Sequence, residues 1–294
     1  MRNRFADTFY ELAKQDERLC LICADISPAG SMTKFRQEFP TRFINTGVSE
    51  QSMIGIAAGM AQRGFRPFCY TIATFALYRP FEMIRDDLCY QNLPVTVVGI
   101  GGGLTYSTLG ATHHAMEDIA VAAVLPNMVV LAPCDPAETG ACTRWCATEA
   151  AGPAYLRLGK AGEKDYTSGL ASEWCFGQAR KVRASTSLTC VLTYGPVVKR
   201  ALRLADILDA DAIVVSTLKP LPNLALKGYE HVIVIEESTP YLALRVRAAA
   251  QEQGVTCRIS TFSLRDEFIH CYGSHDDLLD AHGLSIDNML GKVA

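Results

Sequence analysis

Short, mostly apolar runs alternate along the chain with longer segments of helical character. The runs 19–24, 65–71, 95–100, 128–132 and 154–158 have strand length and turn-forming residues at their borders. Between them, 51–62 is small and apolar, 79–91 is amphipathic, and 117–124 and 136–149 also have a helical pattern. Runs apolar throughout, rather than alternating, belong to strands covered on both faces. Strand and helix in alternation predict an α/β fold with a mainly parallel, doubly wound sheet.

The stretch 159–177 is richer in polar residues and glycine. A second alternation follows, with strands at 188–194, 212–215, 231–236 and 257–260 and helices at 197–208 and 241–253. The pattern predicts two doubly wound units: a first domain over 1–165, a linker over 166–185, and a smaller domain over 186–294.

Composition narrows the function. With 294 residues, 49% hydrophobic and 20% charged, the chain can bury a sizeable core. A net charge of -3 and dispersed basic residues argue against nucleic acid and against an anionic membrane as partners. No apolar run is long enough to span a bilayer. The start Met-Arg-Asn-Arg-Phe-Ala-Asp has no apolar signal core, so a cytoplasmic location is expected. The 11 cysteines sit mostly in apolar runs and read as reduced thiols. Cys142 and Cys146 have no second Cys/His pair to complete a zinc site, and no metal site is expected in this chain.

Three segments could carry chemistry. In the first, Asn45-Thr46-Gly47-Val48-Ser49-Glu50-Gln51, a polar turn delivers Glu50 to a helix whose Gly55, Ala57, Ala58 and Gly59 permit close packing. Glu50 is either a first-turn acid answering the helix dipole or a carboxyl that shares a proton with a ligand nitrogen. In the second, Phe75, Tyr78 and Phe81 recur every three residues, as core aromatics or as a shelf for a flat ligand. In the third, Gly101-Gly102-Gly103 follows a strand and leads to His113-His114. The glycines lack the spacing of a dinucleotide fingerprint, so a nicotinamide-dependent oxidoreductase has little support. The paired histidines hint at acid/base or hydroxyl-binding work.

Taken together, these segments resemble the C-terminal half of the transketolase and deoxyxylulose-phosphate synthase family. Glu50 lies in a Gly47-Val48-Ser49-Glu50-Gln51 motif, and Gly110-Ala111-Thr112-His113-His114, Pro126-Asn127-Met128 and Pro153 to Leu158 follow in order. The resemblance implies a thiamine-diphosphate pyrimidine-binding domain followed by a transketolase C-terminal domain. It implies that Glu50 bonds the pyrimidine N1′ and that Phe75, Tyr78 and Phe81 surround the pyrimidine ring, with Phe75 as the stacking face. His113 would act catalytically. Asp25, Leu109, His113, His114 and Arg157 would line the substrate channel, with Arg157 pairing a phosphate or carboxylate.

The chain contains no Gly-Asp-Gly, the segment with which the family grips diphosphate and a divalent metal. A separate N-terminal transketolase-like subunit is therefore implied. It would hold Mg²⁺ or Ca²⁺ and assemble with this chain as an α2β2 heterotetramer that transfers a two-carbon ketol unit from a ketose to an aldose. Relative to the family, Leu109 replaces a sugar-binding Asp, Gly101 a phosphate-contacting His and Ala29 a phosphate-contacting Ser. A sugar or sugar phosphate remains the expected substrate, and a deoxygenated or unphosphorylated one fits as well. The β chain of a 2-oxoacid dehydrogenase and a non-catalytic scaffolding subunit are the competing readings.

Overall fold

A computed structural model describes residues 1–26, 30–170 and 173–293. Twelve strands are present among them: β1 Leu19–Cys23, β2 Phe43–Asn45, β3 Arg66–Ile72, β4 Thr96–Ile100, β5 Val129–Leu131, β6 Ala154–Leu158, β7 Arg180–Arg183, β8 Thr189–Thr193, β9 Asp211–Val214, β10 Thr217–Lys219, β11 His231–Ile235 and β12 Arg258–Phe262. They form a seven-stranded sheet, β10-β5-β6-β4-β3-β1-β2, and a five-stranded sheet, β12-β11-β8-β9-β7. All pairings are parallel except β10 with β5 and β7 with β9. The α/β class with two mainly parallel sheets is as the pattern predicts.

Alternation within the first sheet sends side chains to two cores. Ile22, Cys69, Val97 and Tyr155 face the helices Glu50–Gln62 and Ala73–Leu77. Leu21, Phe68, Val98 and Leu156 face the helices Arg2–Ala13 and Pro136–Thr148. Every residue of β1, β4 and β6 is buried. The first of these cores continues into the second unit through Tyr194, Leu218 and Val234, so the two sheets share one apolar interior.

Several elements depart from the predicted pattern. The helix Arg2–Ala13 buries Phe5, Phe9 and Ala13, an i, i+4 stripe in a segment for which the pattern predicts no element. The expected linker contains β7, a polar edge strand. The linker is also pinned, because Asp135 Oδ2 accepts from the amides of Tyr166 and Thr167. β10 lies beyond the predicted domain boundary yet belongs to the first sheet. The helix expected over 79–91 is a short turn, Phe81–Met83, running into a π-helical stretch, Ile84–Tyr90. No helix among the described residues is long and apolar enough to cross a membrane.

Candidate active site

Asp25, Glu50, Phe75 and His113 follow the C-terminal ends of β1, β2, β3 and β4, the edge at which such sheets place ligands. After β2, Asn45 Oδ1 accepts from the Gly47 amide at 2.9 Å. Gly47 has a φ of 67°, a backbone state that glycine adopts without strain. This turn sets Glu50 as the first residue of the helix Glu50–Gln62. Its carboxylate is only 5% exposed. Asp25, at the end of β1, donates its amide to the same Asn45 oxygen at 3.3 Å and is exposed, with a φ of 57°.

β3 runs into the short helix Ala73–Leu77, which carries Phe75. The Phe75 ring meets the His113 ring edge-on, with centroids 5.2 Å apart. Arg79 closes the cluster. Its guanidinium carbon lies 4.0 Å from the Phe75 ring centroid, and its Nη1 donates to Glu50 Oε1 at 2.8 Å. Burial and the Arg79 charge both push the His113 imidazole below its ordinary pKa. Thr112 Oγ1 lies 2.9 Å from His113 Nδ1.

The aromatic triplet divides. Tyr78 and Phe81 pack against the core, and the Tyr78 hydroxyl donates to Glu117 Oε2 at 2.9 Å. Burial raises the Tyr78 pKa. Phe75 carries the ring contacts to Arg79 and His113. Leu109, 49% exposed, sits on the loop between β4 and His113. His114, further along the same segment, is buried, and burial lowers its pKa.

Arg157, expected to pair a substrate anion, lies in the interior of this chain. It is 2% exposed, on β6. Its Nε donates to Asp118 Oδ2 at 2.8 Å and its Nη2 to the Glu237 carbonyl oxygen at 2.8 Å. Tyr155 donates its hydroxyl to the same Asp118 oxygen at 2.8 Å. These bonds tie Arg157 to the interior and to the contact between the two sheets. His114, expected in the channel, is buried in this chain too.

The glycine run also has an internal cause. A Cβ at Gly101 would overlap the Tyr106 ring, one at Gly102 the Arg157 side chain, and one at Gly103 the Glu237 carboxylate. These glycines admit the protein's own side chains. Ala29 lies outside the described residues. Among those residues, no group of three or more His, Cys, Asp or Glu is arranged to hold a metal ion.

Sequence reasoning gave Arg79 no role. The available signal was its position four residues after Phe75, which brings two side chains together on one helical turn. Asp118 and Glu237, the buried acids that fix Arg157 and the glycine loop, were missed as well.

Residues 1–162 match the family described as transketolase, pyrimidine binding domain. The chain belongs to the transketolase family. Among its transketolase relatives, a Methanocaldococcus jannaschii protein, whose name reads as a transketolase C-terminal section, is 32% identical, over 100% of this chain and 95% of that one. An apulose-4-phosphate transketolase subunit of Phocaeicola vulgatus is 30% identical, over 96% of this chain and 93% of that one. A solved split-gene transketolase, described as an inactive beta4 tetramer, superposes with a TM-score of 0.86 at 28% identity, covering 99% of this chain and 95% of that one. The chain is thus a transketolase-type subunit of the length found in split enzymes.

Proposed function

We propose that this chain is the glutamate-bearing subunit of a split, thiamine-diphosphate-dependent transketolase that moves a two-carbon ketol unit from a ketose to an aldose. The observation that carries the reading is the pairing of Glu50 with Phe75. A buried carboxylate and a half-exposed phenyl face hold between them a flat, nitrogen-bearing cation, the Arg79 guanidinium, at 2.8 Å and 4.0 Å. An aminopyrimidine asks for the same two things, a ring to stack on and an acid at its N1′. The residues present therefore fit the coenzyme.

When bound, thiamine diphosphate supplies the electron sink that ketol transfer requires. Glu50 holds a proton on the pyrimidine nitrogen, and Phe75 fixes the ring plane. His113, whose pKa burial lowers, accepts or donates a proton at the substrate hydroxyls. Asp25 and Leu109 border the sugar. Tyr78 and Phe81 pack against the core. His114 and Arg157 hold the loop and the sheet contact beneath it.

The partner is an N-terminal transketolase-like subunit that grips the diphosphate and Mg²⁺ or Ca²⁺, for which this chain has no Gly-Asp-Gly. The outer face of the helix Glu50–Gln62 supports such docking: a side-chain carbon added at Gly55 or Gly59 would meet nothing within 4 Å, and Ile56 is 38% exposed. An α2β2 assembly in the cytoplasm suits this half-site and the 11 free cysteines. The test is co-purification with the partner, then a ketol-transfer screen with thiamine diphosphate and Mg²⁺. Transfer that needs both subunits and Glu50 supports the reading. Release of carbon dioxide from pyruvate would instead favour the β chain of a 2-oxoacid dehydrogenase.

A further inference from the structure

Arg79 touches the two groups that, on the reading above, hold an aminopyrimidine. Its guanidinium stacks on the Phe75 ring with its carbon 4.0 Å from the centroid. Its Nη1 donates to Glu50 Oε1 at 2.8 Å. A guanidinium and a protonated aminopyrimidine are both planar, delocalised and able to donate N–H bonds in their plane. Each can lie on a phenyl face and meet a carboxylate at its edge. The two cannot share one face of Phe75 and one oxygen of Glu50.

The exposures of the two partners point the same way. The Glu50 side chain is 5% exposed and that of Arg79 is 44% exposed. The arginine therefore covers the carboxylate from the solvent side and is free to leave toward it without disturbing the core. While it stays, it answers a buried charge that would otherwise stand alone, a costly state.

We infer that Arg79 is a placeholder gate: in the free chain its guanidinium occupies the position of the aminopyrimidine, and it swings outward when the coenzyme enters. The inference rests on the proposed coenzyme site and adds to it a residue that sets apparent affinity. A ligand that binds only the open form has its affinity reduced by the open fraction. A half-exposed ion pair with a cation–π contact holds the closed form by a factor of about 5 to 30.

The test titrates thiamine diphosphate with Mg²⁺ into the complex of this chain with its partner, using calorimetry, which reads binding without turnover. Arg79→Gln is expected to bind about 5- to 30-fold more tightly than the wild type. Arg79→Lys should fall between them, because an ammonium keeps the charge and loses the planar stack. Equal or weaker binding by Arg79→Gln, with the wild type binding normally, overturns the gate and leaves the coenzyme site standing. Absence of binding by every form, Arg79→Gln included, overturns the site and the gate together. Circular dichroism checks the fold of each variant, and Arg79→Lys carries the comparison should Arg79→Gln not fold.

Discussion

His275 Nε2 donates to Glu237 Oε1 at 2.7 Å, and the same oxygen accepts from the Leu104 amide at 2.6 Å. One carboxylate thus ties the start of the helix His275–Leu279 and the end of β11 to the glycine loop after β4.

The pair makes stability depend on pH. Burial pushes the Glu237 carboxyl up, but His275 and Arg157 outweigh it and hold the carboxyl below its ordinary 4.5. Burial pushes His275 down, but the Glu237 charge and hydrogen bond outweigh it and raise the imidazole above its ordinary 6.5. The carboxylate's contribution is complete above 4.5 and fades as pH falls through the folded value. The imidazolium's is complete below 6.5 and fades as pH rises through its folded value. The difference in thermal midpoint between wild type and His275→Gln should be widest between these limits and shrink as pH rises through the folded value of His275. A difference that widens steadily into alkali would contradict this assignment.

Glu50→Gln should lower ketol transfer by the reconstituted complex about a hundredfold or more, the scale of a lost proton-transfer group. Glutamine can still accept from Arg79, so folding should be nearly unchanged. Turnover and thermal melting, measured on the same preparation, check both parts. Near-normal turnover would remove Glu50 from the chemistry.

Asp118→Asn should destabilise the fold by about 3 to 5 kcal/mol, because the buried Arg157 guanidinium loses its counter-charge. Urea unfolding measures this. A loss below about 1 kcal/mol would mean that the Ala115 and Glu237 carbonyl oxygens suffice for Arg157.

Leu109→Asp should shift preference toward more hydroxylated sugar phosphates, changing the ratio of kcat/KM between acceptors by about tenfold, the worth of one substrate hydrogen bond. Identical ratios across a panel of aldoses would place Leu109 outside the channel.

The parallel sheets were legible because β1, β4 and β6 are buried on both faces and so read as unbroken apolar runs. β2 and β10 span three residues each, too few for any period to show. β7 is a polar edge strand, which composition does not separate from a linker. At the site, a motif put forward Glu50, Phe75 and His113, and Arg79 and Phe75 link them in the structure. For Arg157, residue type alone does not report which way a strand side chain points. Alternation places Arg157 beside Tyr155, and both turn to Asp118. Arg79 escaped notice because its meaning lies in a contact with a residue 29 positions away.

β10 crosses from the second unit to pair with β5, Thr217 opposite Leu131, and the Ala132 amide donates to the Ser216 carbonyl oxygen just before it. The polypeptide is therefore stitched rather than hinged. A protease that nicks the polar stretch 159–177 severs the backbone, yet the downstream fragment still owns the border strand of the upstream fragment's sheet. The pieces should migrate as one particle until denaturant parts them, and neither half should survive when expressed on its own.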